Sequence, residues 1–472
     1  RFLASKHPVP TTEAPAKAAV PAASDRSIAV LPFVDMSEKK DQEYFSDGLS
    51  EELINRLAHT PDLKVIARTS SFQFKGRNED VRTIGQRLGV ANLLEGSVRT
   101  SGKALRVTVQ LIKVSDGSHL WSQTYDRDMR DIFAIQDAIA TAVVTALQAT
   151  LATRSPDRQS VSTEAYTALL RGRYFAQMRT KEDSERAIAA YREAIRLDPA
   201  YALAYAELAE TYAWWSPGWR PSREAYTEAR TTIDQSLRLD PNLALGHRVL
   251  GWIEAAFNYD FVEAEAARKR ADELDPTDPL STYDAAYRAL LVGHLDEAIR
   301  LNRQLVERNP LDPAAWATLW QALIRANRLT EAEAAARTFL DLNPRAAFAH
   351  VPLGLVLLYQ GKPNEALQEM GKETDEAMRL LFSSQVLWEL GRRTEADELL
   401  AEAKAKYGDA AAFAIAGRHA IRNEKDEAFL WLDRAYERRE PPVIEIRTDE
   451  AFRNLHKDPR WKAFLSKLKL PE

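Results

Sequence analysis

Cysteine is absent from the 472 residues. That excludes disulfides, thiolate metal sites and cysteine nucleophiles, and it leaves cytoplasm and periplasm equally open. No run of 18 apolar residues occurs, so no segment has the length and character of a spanning helix, and no signal-peptide pattern is present. Histidine is scarce: eight residues, none three or four positions from another, which removes the spacing that helical zinc sites need. There is no Gly-rich phosphate loop and no His-Glu-x-x-His. Gly96-Ser97-Val98 lacks the second glycine of a nucleophile elbow and sits within a strand pattern. A basic excess is also missing. The formal charge is -5, made of +1 over residues 1–25, zero over 26–152 and -6 over 153–472. No region has the positive balance of a nucleic-acid binder, and none is expected to contact nucleic acid.

What is present divides into three parts. Residues 1–25 are rich in Ala, Pro and Thr and read as an extended tether. Residues 26–152 alternate strand and helix signals in the order β-α-β-α-β-β-β-α, which predicts a small α+β sandwich with helices over one sheet face. Ile28–Phe33 reads as a buried strand closed by proline, Asp47 as the cap of the first helix, and Gly89 as the stop of the second. Leu105, Val107, Val109 and Leu111 alternate with polar residues, so one face of that strand is buried and one is wet. A long amphipathic helix is expected from Ile132 to Leu151. Asp126, Asp128 and Asp131 are the best metal candidate, but the Gly turn and distal Glu of a calcium loop are missing; capping by Asp131 is the simpler reading. Arg68-Thr69-Ser70-Ser71 reads as a loop, either structural or a small anion site.

Beyond residue 162 the chain repeats. Asp198-Pro199, Asp240-Pro241, Asp275-Pro276, Asn309-Pro310 and Asn343-Pro344 recur at intervals of 42, 35, 34 and 34 residues. A period near 34 closed by proline marks a helix–turn–helix repeat. Ala187, Ala229, Ala264, Ala298, Ala332, Ala366, Ala396 and Ala428 recur where the second helix of each unit meets the first, which implies about eight units over 162–440. A small side chain there lets two helix axes approach closely. The longer first interval places an insertion near Trp214–Pro221, between two helices. Residues 441–472 depart from the repeat and are expected to cap the stack.

Two resemblances follow from these residues. Segment 162–440 resembles tetratricopeptide-repeat proteins. Segment 27–150 resembles the TolB amino-terminal-like domain, related to the FlgO-type domain, through Ser27–Phe33, Tyr44–Leu53, Ala67–Phe72, Leu94–Arg99, Leu120–Arg127 and Ile132–Asp137. The fold class is therefore an α+β N-terminal domain followed by an all-α tetratricopeptide-repeat solenoid. The pairing is similar to the extracytoplasmic half of bacterial one-pass signalling proteins. In those, a CadC-like winged helix or a class III adenylate cyclase precedes a membrane helix. The chain starts at Arg1 rather than Met, so it is expected to be a piece whose anchor lies upstream, periplasmic and held at the inner membrane; the cytoplasm is the alternative.

No catalytic residue, cofactor or metal is expected. The expected function is a protein- or peptide-binding sensor module, with the non-catalytic remainder of a class III adenylate cyclase or an envelope assembly scaffold as alternatives; the membrane is reached only through the upstream helix, and a homodimer is left open. In such a stack the first helices line the inner surface. Trp214, Arg248, Trp252, Tyr283, Tyr287, Gln321, Arg325 and Tyr359 fall on inward positions. Trp, Tyr and Arg concentrate in binding hot spots. Gly172 and Ala176 occupy two positions where a carboxylate clamp would need Lys or Asn, so that mode is not expected.

Overall fold

The computed structural model describes residues 25–102, 104–147, 161–178, 180–214, 222–276, 278–344 and 346–470. The tether (residues 1–24), the end of the long helix beyond 147 and the Trp-rich insertion at 215–221 lie outside the described residues.

The N-terminal domain is built on one mixed sheet. Its elements are β1 (Ser27–Val30), β2 (Val34–Asp35), α1 (Glu43–Ala58), β3 (Lys64–Val65), α2 (Arg68–Ser71), α3 (Val81–Leu88), β4 (Asn92–Ser101), β5 (Ala104–Lys113), β6 (His119–Asp128) and α4 (Ile132–Ala146). Strand order is β3-β1-β4-β5-β6, with β2 beside β4. β1 runs parallel to both β3 and β4, and β4–β5–β6 is an antiparallel meander.

Three expectations need correcting. Helices cover both sheet faces, not one. Ile28 and Val30 pack with α1 and α4, whereas Ala29 and Leu31 pack with Ile84 and Leu88 of α3. All four β1 residues are buried, as a strand flanked by helices on both sides requires. Secondly, α1 begins at Glu43, so Asp47 lies inside the helix and accepts from Lys75 Nζ at 2.6 Å. Thirdly, Arg68–Ser71 is a short helix, not a loop. Gly89 does end α3, in the left-handed conformation at φ +63°.

The remainder is helical. Antiparallel pairs follow one another: α5 (Thr163–Ala176) with α6 (Lys181–Leu197), α7 (Ala202–Trp214) with α8 (Ser222–Leu239), α9 (Ala244–Ile253) with α10 (Phe261–Leu274), and α11 (Pro279–Leu291) with α12 (Leu295–Arg308). They continue as α13 (Pro313–Arg325) with α14 (Leu329–Leu342), α15 (Val351–Tyr359) with α16 (Pro363–Met370), α17 (Glu376–Glu389) with α18 (Arg393–Tyr407), and α19 (Ala412–Ile421) with α20 (Lys425–Arg438). The stop-and-start chemistry is local. Asp278 and Asp312 cap α11 and α13, each followed by a proline in the first turn, where its missing N–H costs nothing. The eight recurring alanines are all fully buried. Leucine at such a contact has no room, so Ala332→Leu is expected to cost about 1–3 kcal/mol, read as a lower urea midpoint.

The sheet domain and the repeats share one core. Gly48 in α1 lies against Leu170 of α5, so close that a Cβ would come within 2.6 Å of its Cδ2. Gln136 Nε2 donates to Tyr166 Oη at 2.9 Å. A second seam forms far along the chain. Ala67 N donates to Asn309 Oδ1 (3.0 Å) and Leu311 N to Ser70 Oγ (3.2 Å). The Ser70 hydroxyl is thus a structural group at this seam. The repeats therefore curl until the loop after α12 meets the domain that precedes α5.

The C-terminal residues turn back inside this curl. Two 3₁₀ segments, Pro441–Glu445 and Glu450–Leu455, precede α21 (Pro459–Lys467). Val443, Ile444, Ile446, Phe452 and Leu455 are at most 1% exposed. At about 1.5–3 kcal/mol per buried side chain this segment is an integral plug, not a displaceable strap.

Candidate functional site

The inner face is set by the repeat register. Glu210, Trp252, Tyr287 and Gln321 stand 42, 35 and 34 residues apart, the same intervals as the Asp/Asn-Pro turns, so they occupy one column across successive first helices. Trp214 and Glu210 are four residues apart on α7 and share a face. One end of this column is closed, and at the other Trp214 is exposed among the described residues.

The closed end lies under the C-terminal segment. Tyr287 donates its hydroxyl to Glu445 Oε1 at 3.0 Å, and Arg325 gives Nη2 to Glu445 Oε2 (2.5 Å) and Nη1 to Thr448 Oγ1 (2.7 Å). Burial opposes charge on Arg325, but Glu445 and Asp449 outweigh it and hold the guanidinium protonated. Tyr287 and Arg325, expected as ligand contacts, have their polar ends taken by this chain's own residues. A small cavity of about 170 Å³ remains beside Arg325, lined also by Arg447, Arg453 and His456.

Arg248 is not a surface residue. It is 6% exposed and bonded to Asp278 (3.0 Å), Asp284 (2.8 Å) and Ser281 (3.1 Å) from the start of α11. Burial works against its charge, and the two aspartates overcome it. The inward position was readable from its own helix; the acceptors that turn it into an inter-repeat clasp come from the next unit. Tyr283 and Gln321 are half-buried. Tyr359 is 42% exposed, although burial of its hydroxyl raises that group's pKa to about 12.

The open end is aromatic. Trp214 is 44% exposed and its ring centroid lies 5.0 Å from that of half-buried Trp252, inclined at 34°. Trp252 is in turn 6.0 Å from Tyr287 and gives its Nε1–H to Tyr226 Oη at 3.2 Å, which fixes the indole plane. Behind it, Tyr226 stacks on Phe257 at 5.2 Å. Phe257 lies in a π-helical turn, Glu254–Asn258, that ends α9 at the left-handed Tyr259. Such turns shift side chains out of helical register.

Beneath the aromatics is an ionic layer. Arg173 on α5 bridges Glu52 of α1 (2.8 Å) and Glu207 of α7 (2.5 Å). Burial opposes its charge, and the surrounding glutamates hold it well above the usual arginine value. Glu210, which residue typing did not single out, lies in this layer. Burial first, then the like charge of Glu207, raise its pKa to about 7, against a partial offset from Arg173. Its position in the Trp252–Tyr287 column was the available signal.

Asp126 pairs with Arg106 (2.6 Å) and Asp128 caps Arg130 N (2.9 Å). Asp131 makes no cap bond to α4. Among the described residues no group of three His, Asp or Glu is placed to hold a metal ion, and no helix is long and apolar enough to cross a membrane.

Comparison with known proteins agrees with this two-part layout. Residues 24–142 match the family described as HilA/YgeH-like transcriptional regulator, second domain, and residues 179–213 match a TPR repeat. The chain is 40% identical over 186 residues to "Putative adenylate cyclase 3" of Rhizobium meliloti (strain 1021), a stretch covering 39% of this chain and 32% of that one. It thus spans about a third of the length of this curated relative. Among solved structures, Pseudomonas aeruginosa pilF is 16% identical with a TM-score of 0.35, covering 44% of this chain and 93% of its own. A thermophilic TPR protein of Thermus thermophilus is 22% identical with a TM-score of 0.33, covering 40% and 99%. The chain thus joins an α+β domain similar to a regulator's second domain to a TPR-like helical array.

Proposed function

We propose that this chain is the partner-sensing arm of a bacterial membrane-anchored signalling protein, binding a protein or peptide on the open inner face at Trp214 and Trp252. The observation that carries this reading is the pair of indoles, one of them 44% exposed, on a surface whose other half is plugged by residues 441–455. Large rigid rings offer contact area with few torsions to freeze. The TolB-like reading of 26–152 belongs to the same proposal, as does a periplasmic position. The match to a regulator's second domain supports an output in transcription control; the cyclase-named relative supports nucleotide cyclisation by an upstream domain as the alternative.

The test is affinity capture from membranes of the source cell with the full chain and with Trp214→Ala/Trp252→Ala. The double variant is expected to lose its specific partner band while Leu430→Ala, on an exposed outer position, keeps it. Equal capture by all three would remove the assignment.

A further inference from the structure

The inner face holds a carboxylate that no described residue pairs with. Glu210 is half-buried, and no hydrogen bond or ion pair reaches its carboxylate among the described residues. Arg173, the cation that acts on it, is already engaged by Glu52 and Glu207. One turn along α7 stands Trp214, with the face of Trp252 5.0 Å away. Resting on the reading above, we propose that Glu210, Trp214 and Trp252 form a receptor for a cationic side chain, lysine or arginine, carried by the polypeptide partner.

Charge and shape agree. A cation over an indole face gains electrostatic attraction from the ring quadrupole, and more when a carboxylate shares the site. The groups that act electrostatically on Glu210 are Glu207 on its own helix, Glu51 from α1, Asp278 ahead of α11 and Arg173 from α5, an acidic majority that repels an anionic ligand. Tyr226 holds Trp252 in place through its indole N–H, so the wall is formed before a ligand arrives. A bound cation ionises Glu210 and releases its proton, so affinity falls as pH drops below about 7.

The test titrates the full chain with the blocked peptide Ac-Ala-Lys-Ala-Ala-Lys-Ala-NH₂ and with its glutamate counterpart, following tryptophan emission. The lysine peptide is expected to bind near about 1 mM, with Glu210→Gln and Trp252→Leu each weakening it about tenfold and Glu210→Gln abolishing the pH dependence. The glutamate peptide is expected not to bind. Equal binding of both peptides, unchanged affinity in Glu210→Gln, or no saturable response to lysine would each overturn the inference. If partner capture is lost in Trp214→Ala/Trp252→Ala while the lysine peptide fails, the cation receptor falls and the proposed function stands. If capture is unaffected by those substitutions, the site itself is misplaced.

Discussion

Arg173→Met is expected to lose about 3–5 kcal/mol of stability and to loosen the N-terminal domain from the repeats. Arg173 pairs with both Glu52 on α1 and Glu207 on α7, and all three side chains are largely buried. Taking two carboxylates out of water is tolerable only while the guanidinium sits between them. Methionine preserves the stem and its packing but removes the guanidinium that both acids share. Urea unfolding should show a lower midpoint, and Arg173→Met combined with Glu52→Gln and Glu207→Gln should recover much of the loss. A single substitution with no effect would mean that the seam is held without this ion triad, by contacts such as Gly48–Leu170 and Gln136–Tyr166.

Glu210→Gln should act in the opposite direction. The carboxyl titrates near 7 in the fold against an ordinary 4.5, so the folded state keeps a proton that the unfolded chain has lost between those values. Stability from this group is complete below about 4.5, falls as pH rises to about 7, and is flat above. The deficit at pH 8 is about 3 kcal/mol, on the order of 1.4 kcal/mol per unit of displacement. Glutamine carries no such deficit. Wild type and variant should match near pH 4 and separate with rising pH, the variant unfolding later. Lost lysine binding in this variant is then not a symptom of unfolding. Under the proposed cation receptor, the carboxylate beside two indoles serves binding, and local stability is what it gives up.

Local chemistry was legible in the sequence to the extent that it is local. The buried alanines and the Gly89 stop each depend on residues within one or two turns, and each stands where the local pattern puts it. The inward column was readable by the same arithmetic. What sequence spacing could not give is closure. Tyr287 meets Glu445 across 158 positions, and Ala67 meets Asn309 across 242. No helical period encodes those contacts, so Tyr287 and Arg325 read as open ligand contacts when the chain fills them itself. Arg248 failed for a nearer reason: its acceptors start the next helix pair. The two-sided covering of β1 was present in its four consecutive apolar or small residues, which mark a strand buried on both faces.

The measurement closest to the central claim is site-resolved photo-crosslinking in the source cell. Benzoyl-phenylalanine would replace Trp214 in the open inner face, Arg325 under the C-terminal plug, and Leu430 on an exposed outer position. The account predicts one discrete partner adduct from position 214 and none from 325 or 430. Adducts at 430 with none at 214 would place the partner on the outer surface and contradict it.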